Sequence, residues 1–297
     1  MTSHTPGPFG RALCAMITPF TADGELDLDA ARRHAVALVA GGCDGLVLSG
    51  TTGESPTTTD GEKTALLRAV REAVGAGVPL VAGVGTYDTR QTVRLAREAE
   101  EEGADGLLVV TPYYSRPPQA DVEAHFLQVA DAAGVGLMLY DIPGRTGTRI
   151  EPATMLRLAE HPRIVAVKDC SYDLLGAAKV MAGTSLAYYS GCEELNLPLY
   201  ALGGAGCVST VANVAPRQVR AVLDAFDAGD TEAAARLNGL LVPLVEAMMA
   251  SGLPGTVTAK ALLGAGPVRE PLRPAGREAA DGLRAVFEEL RSSFEDS

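Results

Sequence analysis

Four lysines stand against twenty-one arginines in this chain of 297 residues, and one of them, Lys168, closes the apolar run Ile164-Val165-Ala166-Val167. A run this short and β-branched, preceded by His161-Pro162, reads as a strand buried on both faces. A cation at its end either reaches past the strand to solvent or does chemistry. Desolvation favours the neutral amine, and a neutral amine is a nucleophile toward carbonyl carbon. Lys63, Lys179 and Lys260 fall within helical patterns and are expected to face solvent, which leaves Lys168 as the candidate amine nucleophile.

Other polar groups follow short apolar runs in the same way. Gly50-Thr51-Thr52-Gly53-Glu54-Ser55 has the shape of an anion-cradling turn but lacks the Gly-Lys-Ser/Thr ending of a P-loop, and Gly83-Val84-Gly85-Thr86-Tyr87-Asp88 lacks the third glycine of a dinucleotide fingerprint. The two threonines instead offer hydroxyls and backbone N–H groups to a small anion such as a carboxylate. Tyr140, ending another run, is either a half-buried core aromatic or a proton donor and acceptor at a carbonyl under attack. Thr51 and Tyr114 could pass those protons onward. Arg145 is either a solvated loop residue or a planar fork for a substrate carboxylate. Ser49 and Ser190 lack the flanking pattern of an acyl-transfer nucleophile.

These groups need strands to hold them. The apolar runs Leu13–Ile17, Gly45–Leu48, Leu80–Ala82, Leu107–Val110, Leu137–Tyr140, Ile164–Lys168, Ala187–Tyr189 and Cys207–Val208 alternate with amphipathic stretches at 29–39, 60–74, 89–102, 121–132 and 152–160. Repeated strand–helix alternation calls for parallel strands joined by crossover helices. An open doubly wound sheet competes with a closed (β/α)8 TIM barrel. The polar residues gather just after the strands, where barrel enzymes build their sites, and this favours the barrel. The expected organisation is a loose lead-in over 1–10, a barrel over 11–229 and a C-terminal helical appendage over 230–297, with helical patterns at 230–250, 256–263 and 276–294.

A formal charge of −12 and a pI near 4.8 disfavour nucleic acid and anionic membranes as partners. Apolar stretches are interrupted before a membrane span is complete, and the first ten residues lack a signal-peptide core, so a soluble cytoplasmic protein is expected. Cys14, Cys43, Cys170, Cys192 and Cys207 are odd in number and scattered, which points to buried thiols. His4, His34, His125 and His161 show no metal-ligand spacing, and no metal or cofactor is expected.

Taken together, Gly50 to Ser55, Thr111-Pro112-Tyr113-Tyr114, Tyr140 to Gly147, Lys168, and Gly203-Gly204-x-Gly206-x-Val208-Ser209 followed by Ala212-Asn213 resemble, in order and spacing, the pyruvate-dependent class I aldolase and lyase superfamily of the dihydrodipicolinate synthases and N-acetylneuraminate lyases. The likeness covers nearly the whole chain. It implies a Schiff base between Lys168 and pyruvate, Tyr140 as general acid/base, and a proton relay through Thr51 and Tyr114, the latter lent by a neighbouring subunit. It further implies pyruvate binding by Thr52 and the Val208 backbone, and capture of the second substrate's carboxylate by Arg145. A homotetramer built from tight dimers is implied as well.

Thr51-Thr52 and the Arg145 segment look like the synthase branch, with L-aspartate 4-semialdehyde as the aldehyde. A sister lyase acting on a 2-oxo-3-deoxy sugar acid or a sialic acid, and a non-catalytic pyruvate-binding barrel, are the alternatives. Asp169-Cys170-Ser171, Gly191-Cys192-Glu193 and Leu253-Pro254-Gly255-Thr256 depart from the commoner pattern. Asp60, Lys63 and Tyr87 stand where lysine-inhibited members commonly carry His, His and Asn, and a cation at Lys63 would repel lysine's ammonium.

Overall fold

The computed structural model describes residues 7–295. Eight parallel strands, β1 (Ala12–Ala15), β2 (Gly45–Leu48), β3 (Leu80–Gly83), β4 (Gly106–Val110), β5 (Gly136–Asp141), β6 (Ile164–Asp169), β7 (Ala187–Ser190) and β8 (Gly206–Ser209), close into one barrel in chain order. The register Tyr140↔Lys168↔Tyr189 sets three residues of neighbouring strands at one level. Every strand matches an expected run to within a few residues, and the open sheet is excluded by closure of β8 on β1.

The described helices are α1 (Leu28–Ala40), α2 (Asp60–Val74), α3 (Thr89–Glu101), α4 (Gln119–Ala132), the single turn α5 (Pro143–Thr146), α6 (Pro152–Leu158), α7 (Leu174–Gly183), α8 (Asn196–Ala201), α9 (Pro216–Asp227), α10 (Thr231–Val245), α11 (Gly255–Leu263) and α12 (Arg277–Glu295). Several start at an aspartate whose side chain accepts from a first-turn N–H: Asp27, Asp88, Asp173 and Asp230 each do so. Thr59 and Glu62 form a reciprocal capping box at the start of α2. Helices α10 to α12 form the C-terminal appendage.

Alternation along the strands divides the core. Leu13, Val47, Val81, Leu108, Met138, Ala166 and Val208 face inward and fill the barrel, whereas residues such as Leu46, Leu107, Leu139 and Val167 face the helices. Tyr140 and Lys168 belong to the inward set, one step nearer the C-terminal rim.

One expectation needs correction here. Of the expected lead-in, residues 1–6 lie outside the described residues, but Gly7 to Gly10 pack as part of the barrel. Phe9 is 3% exposed, and its ring lies against Gly106, where a Cβ would come within 2.5 Å of it. Its N–H donates to Tyr189 Oη at 3.4 Å, and Tyr189 Oη donates to the Gly10 carbonyl at 2.9 Å. Thr231–Ala250, which is α10 continued by a π turn, is long and apolar enough by composition to cross a membrane, but Arg236, Gly239, Pro243 and Glu246 interrupt it as the sequence led one to expect, and it packs against α9 and α12.

Phe9 therefore closes the end of the barrel opposite Lys168. Phe9→Ala should lower the unfolding free energy by about 3–5 kcal/mol, read as a lower midpoint in urea, with Phe9→Leu recovering part of it. An unchanged midpoint would show that the plug contributes nothing.

Candidate active site

The residues singled out in the sequence converge at the C-terminal rim, but not all of them enter the same space. Lys168 is 4% exposed, with Nζ 4.4 Å from the centre of the Tyr140 ring. Burial, the largest influence, pulls the Lys168 pKa below the ordinary 10.5. The same burial pushes the Tyr140 phenol well above 10, so it holds its proton at neutral pH. Tyr140 Oη lies 3.4 Å from Thr51 Oγ1.

Room for the lysine depends on Gly191. A Cβ there would collide with Cys170 Sγ and come within 2.8 Å of Lys168 Cε. Glycine at this position is a requirement of close approach rather than of backbone conformation.

Above Tyr140 opens a cavity of about 260 Å³, lined by Gly50, Thr51, Tyr113, Tyr140 and Arg145 among others. Arg145 rides on α5 and is exposed at the rim, where its charge draws the Tyr140 pKa back down. Tyr113 rather than Tyr114 lines the cavity and packs edge-on against Tyr87 at 5.3 Å. Tyr114 stands 95% exposed with φ of 73°. Thr52 is buried beside Thr210, with hydroxyls 2.9 Å apart, and Val208 faces the barrel interior.

Two carboxylates that sequence reasoning missed position these loops. Glu193 is buried and accepts from Ser209 Oγ, from the N–H groups of Thr210 (2.5 Å) and Val211 (2.9 Å), and from Asn196 Nδ2 (3.0 Å). It thereby fixes the backbone that follows Val208, although burial itself raises its pKa. Glu54, at φ of 56°, ends the Gly-Thr-Thr-Gly turn, and its Oε1 lies 2.5 Å from Lys260 Nζ.

Lys260 is the clearest correction to the sequence reading. It is not a solvent-facing helical lysine but a buried one; both side chains of the pair are 2% exposed. Its Nζ donates to the Pro267 carbonyl at 2.8 Å and sits 4.0 Å from the Phe20 ring centre. Nearby, Arg269 donates its N–H to Glu54 Oε2 at 2.8 Å and its guanidinium to Glu62, the Gly24 carbonyl and the Thr57 carbonyl. The arginine holds the Glu62 carboxyl down at about 2. Thr256 Oγ1 donates to the Thr52 carbonyl at 3.1 Å. The appendage thus grips the Thr51–Thr52 turn from outside.

Chemically, the arrangement offers a desolvated amine, a protonated phenol beside it, hydroxyls at the cavity wall and one cation at the mouth. No cluster of His, Cys, Asp or Glu that could hold a metal occurs among the described residues.

Residues 8–290 match the model of the dihydrodipicolinate synthetase family. The chain belongs to that family. It is 70% identical to 4-hydroxy-tetrahydrodipicolinate synthase 1 of Streptomyces coelicolor, over 97% of this chain and 96% of the relative. Among solved structures, the DHDPS of Cyanidioschyzon merolae, solved with lysine bound, is 37% identical with a TM-score of 0.92, covering 95% of this chain and 98% of that one. The chloride-inhibited dihydrodipicolinate synthase of Acinetobacter baumannii, solved in complex with pyruvate, is 31% identical with a TM-score of 0.90, covering 95% and 99%.

Removing one partner of a buried ion pair leaves the other charge without compensation. Lys260→Ala should therefore cost about 3–5 kcal/mol of stability in chemical unfolding. Replacing both partners, Glu54→Gln with Lys260→Met, should recover more than half of that loss. A single substitution that costs nothing would refute the pairing.

Proposed function

We propose that this protein condenses pyruvate with L-aspartate 4-semialdehyde to give 4-hydroxy-tetrahydrodipicolinate, the entry step of diaminopimelate and lysine synthesis, through a Schiff base on Lys168. The observation that carries this reading is the desolvated Lys168 amine, without an ion-pair partner among the described residues, 4.4 Å from the Tyr140 ring. The names carried by its relatives, at up to 70% identity among those compared, support the same reaction. The neutral amine attacks the pyruvate carbonyl carbon, and water leaves as the iminium forms. That iminium is an electron sink, so a methyl proton is lost and the resulting enamine attacks the aldehyde.

Tyr140, protonated at neutral pH, acts as the general acid and base at these steps. Thr51 relays its proton, and Tyr114, exposed in the single chain, is lent to the site of a neighbouring subunit. Thr52 and the backbone at Val208 receive the pyruvate carboxylate, and Arg145 at the rim grips the carboxylate of the aldehyde substrate. A cytoplasmic homotetramer, a dimer of tight dimers, completes the reading, with no cofactor required.

Borohydride reduction in the presence of pyruvate, followed by peptide mass mapping, tests the shared step. The adduct is expected on Lys168, and Lys168→Arg should abolish it with the fold intact; an adduct elsewhere, or none, refutes the mechanism. Condensation assayed against pyruvate release from sugar acids then separates synthase from lyase. The pH dependence has a definite sign. The neutral fraction of Lys168 grows as pH rises through its lowered pKa, so trapping should climb below pH 10.5 and hold where Tyr140 is still protonated.

Feedback by lysine is expected to be weak or absent. Lys63 is largely covered, its Nζ 3.8 Å from Asp60, and a lysine ligand would bring a second ammonium against it. Half-inhibition at sub-millimolar lysine would refute this.

A further inference from the structure

Five cysteines are free, but only two meet at the candidate active site. Cys170 directly follows β6 and Cys192 lies just beyond β7, two strands paired through Asp169↔Ser190. The rim is pinned there, since Cys170 N–H donates to the Asp141 carbonyl and Gly191 N–H to the Asp169 carbonyl, each at 2.8 Å. Both side chains pack in the interior cluster with Tyr140 and Val208, at 8% and 6% exposure. Cys170 Sγ lies over Gly191, in the space a Cβ would take, beside Lys168 Cε. Cys170 and Cys192 act on one another's proton affinity, and Tyr140 acts on that of Cys170 as well. Neighbouring strands run about 4.8 Å apart, so cysteines one position offset at the ends of such a pair lie within the backbone separation a disulfide spans.

We propose that Cys170 and Cys192 are an oxidisable thiol pair that hydroperoxides close to a disulfide, switching the Lys168 site off. The proposal rests on Lys168 as the imine-forming residue. Reactivity is divided between the two sulfurs. The neighbouring Cys192 and then the charge of Lys168 lower the Cys170 pKa, whereas that of Cys192 is raised. Cys170 is accordingly the attacking thiolate and Cys192 the resolving thiol. The other three cysteines lie in the apolar layer between barrel and helices, where burial raises Cys14 and Cys207 well above the ordinary range.

The steps balance. Cys170 sulfur attacks one peroxide oxygen, the O–O bond breaks, and a sulfenic acid and one molecule of water or alcohol result. Cys192 sulfur then attacks the Cys170 sulfur, the S–O bond breaks, and water leaves with the Cys192 proton. Two thiols lose two electrons and the peroxide gains them. The product removes a thiol from the cluster around Tyr140 and cross-links the two strand ends around Lys168, where Gly191 already leaves no spare room. A dithiol reverses it.

The test uses the full chain, reduced and then exposed to a small excess of hydrogen peroxide. Expected are a mass lower by two hydrogens, a Cys170–Cys192 linked peptide, and a fall of roughly tenfold or more in pyruvate trapping at Lys168, all restored by dithiothreitol. In Cys192→Ser the linked peptide should vanish, and a 1,3-dione should label Cys170 as its sulfenic acid. Oxidation confined to other cysteines, an unchanged mass, or a linked peptide with trapping unaffected would each overturn the switch. Reduced protein that traps no pyruvate would overturn the Lys168 reading and the switch with it. That failure is distinguishable, because the linked peptide is read by mass alone.

Discussion

Two lysines are buried in this barrel, and the difference in what faces them organises the whole molecule. Lys260 lies against Glu54 at 2.5 Å, its carboxylate partner sealed in with it, and works as a structural cation. Lys168 is as deeply buried but has no ion-pair partner among the described residues, only a tyrosine ring, three thiols and the charge of Glu193 acting without a direct contact. Desolvation raises the free energy of an ammonium in both places, and only Lys260 has a direct counter-charge to offset it. One lysine therefore holds the rim together, and the other keeps a buried amine without a direct counter-charge.

These two lysines are also mechanically linked. The Glu54–Lys260 pair, Arg269 on Glu62 and the Thr256 bond to the Thr52 carbonyl attach the C-terminal appendage to the turn that carries Thr51. Thr51 in turn reaches the hydroxyl of Tyr140, the ring that covers Lys168. The appendage thus helps to position the Tyr140 hydroxyl, although none of its side chains lines the cavity.

Much of this was legible in the sequence, and what was not has a physical reason. Strands buried on both faces must be continuous apolar runs, so all eight could be read directly. Their last residues could not, because Asp141, Asp169, Ser190 and Ser209 are polar groups satisfied by neighbours at the rim. Lys260 has the helical periodicity of a solvent-facing lysine, and periodicity says nothing about a carboxylate supplied from the far end of the chain. Tyr113 and Tyr114 are adjacent, and only the positive φ at Tyr114 determines that Tyr113 takes the cavity wall. Glu54 and Glu193 were visible within the motifs, but nothing in their spacing revealed that one would face an ammonium and the other a fan of backbone N–H groups.

The rim gathers features that disfavour folding. Ser49, Glu54, Tyr114, Arg116 and Tyr172 adopt positive φ without being glycine, and all lie in loops after strand ends, a conformation costing of order 1 kcal/mol or more per residue. At the ends of β5 and β6, burial raises Asp141 to about 7 and lifts Asp169 as well. A carboxyl with a raised folded pKa favours folding less as pH climbs from its unfolded value toward 7, so near neutrality it weakens the fold. The opposite end carries the compensation: the Phe9 plug, the Asp44 carboxylate bound by the Arg11 and Ala12 N–H groups, and the Arg220 clamp on Asp44. Strain and desolvated charge at one end, tight packing and satisfied ions at the other, follow from using one face of the barrel for chemistry and leaving the other for stability.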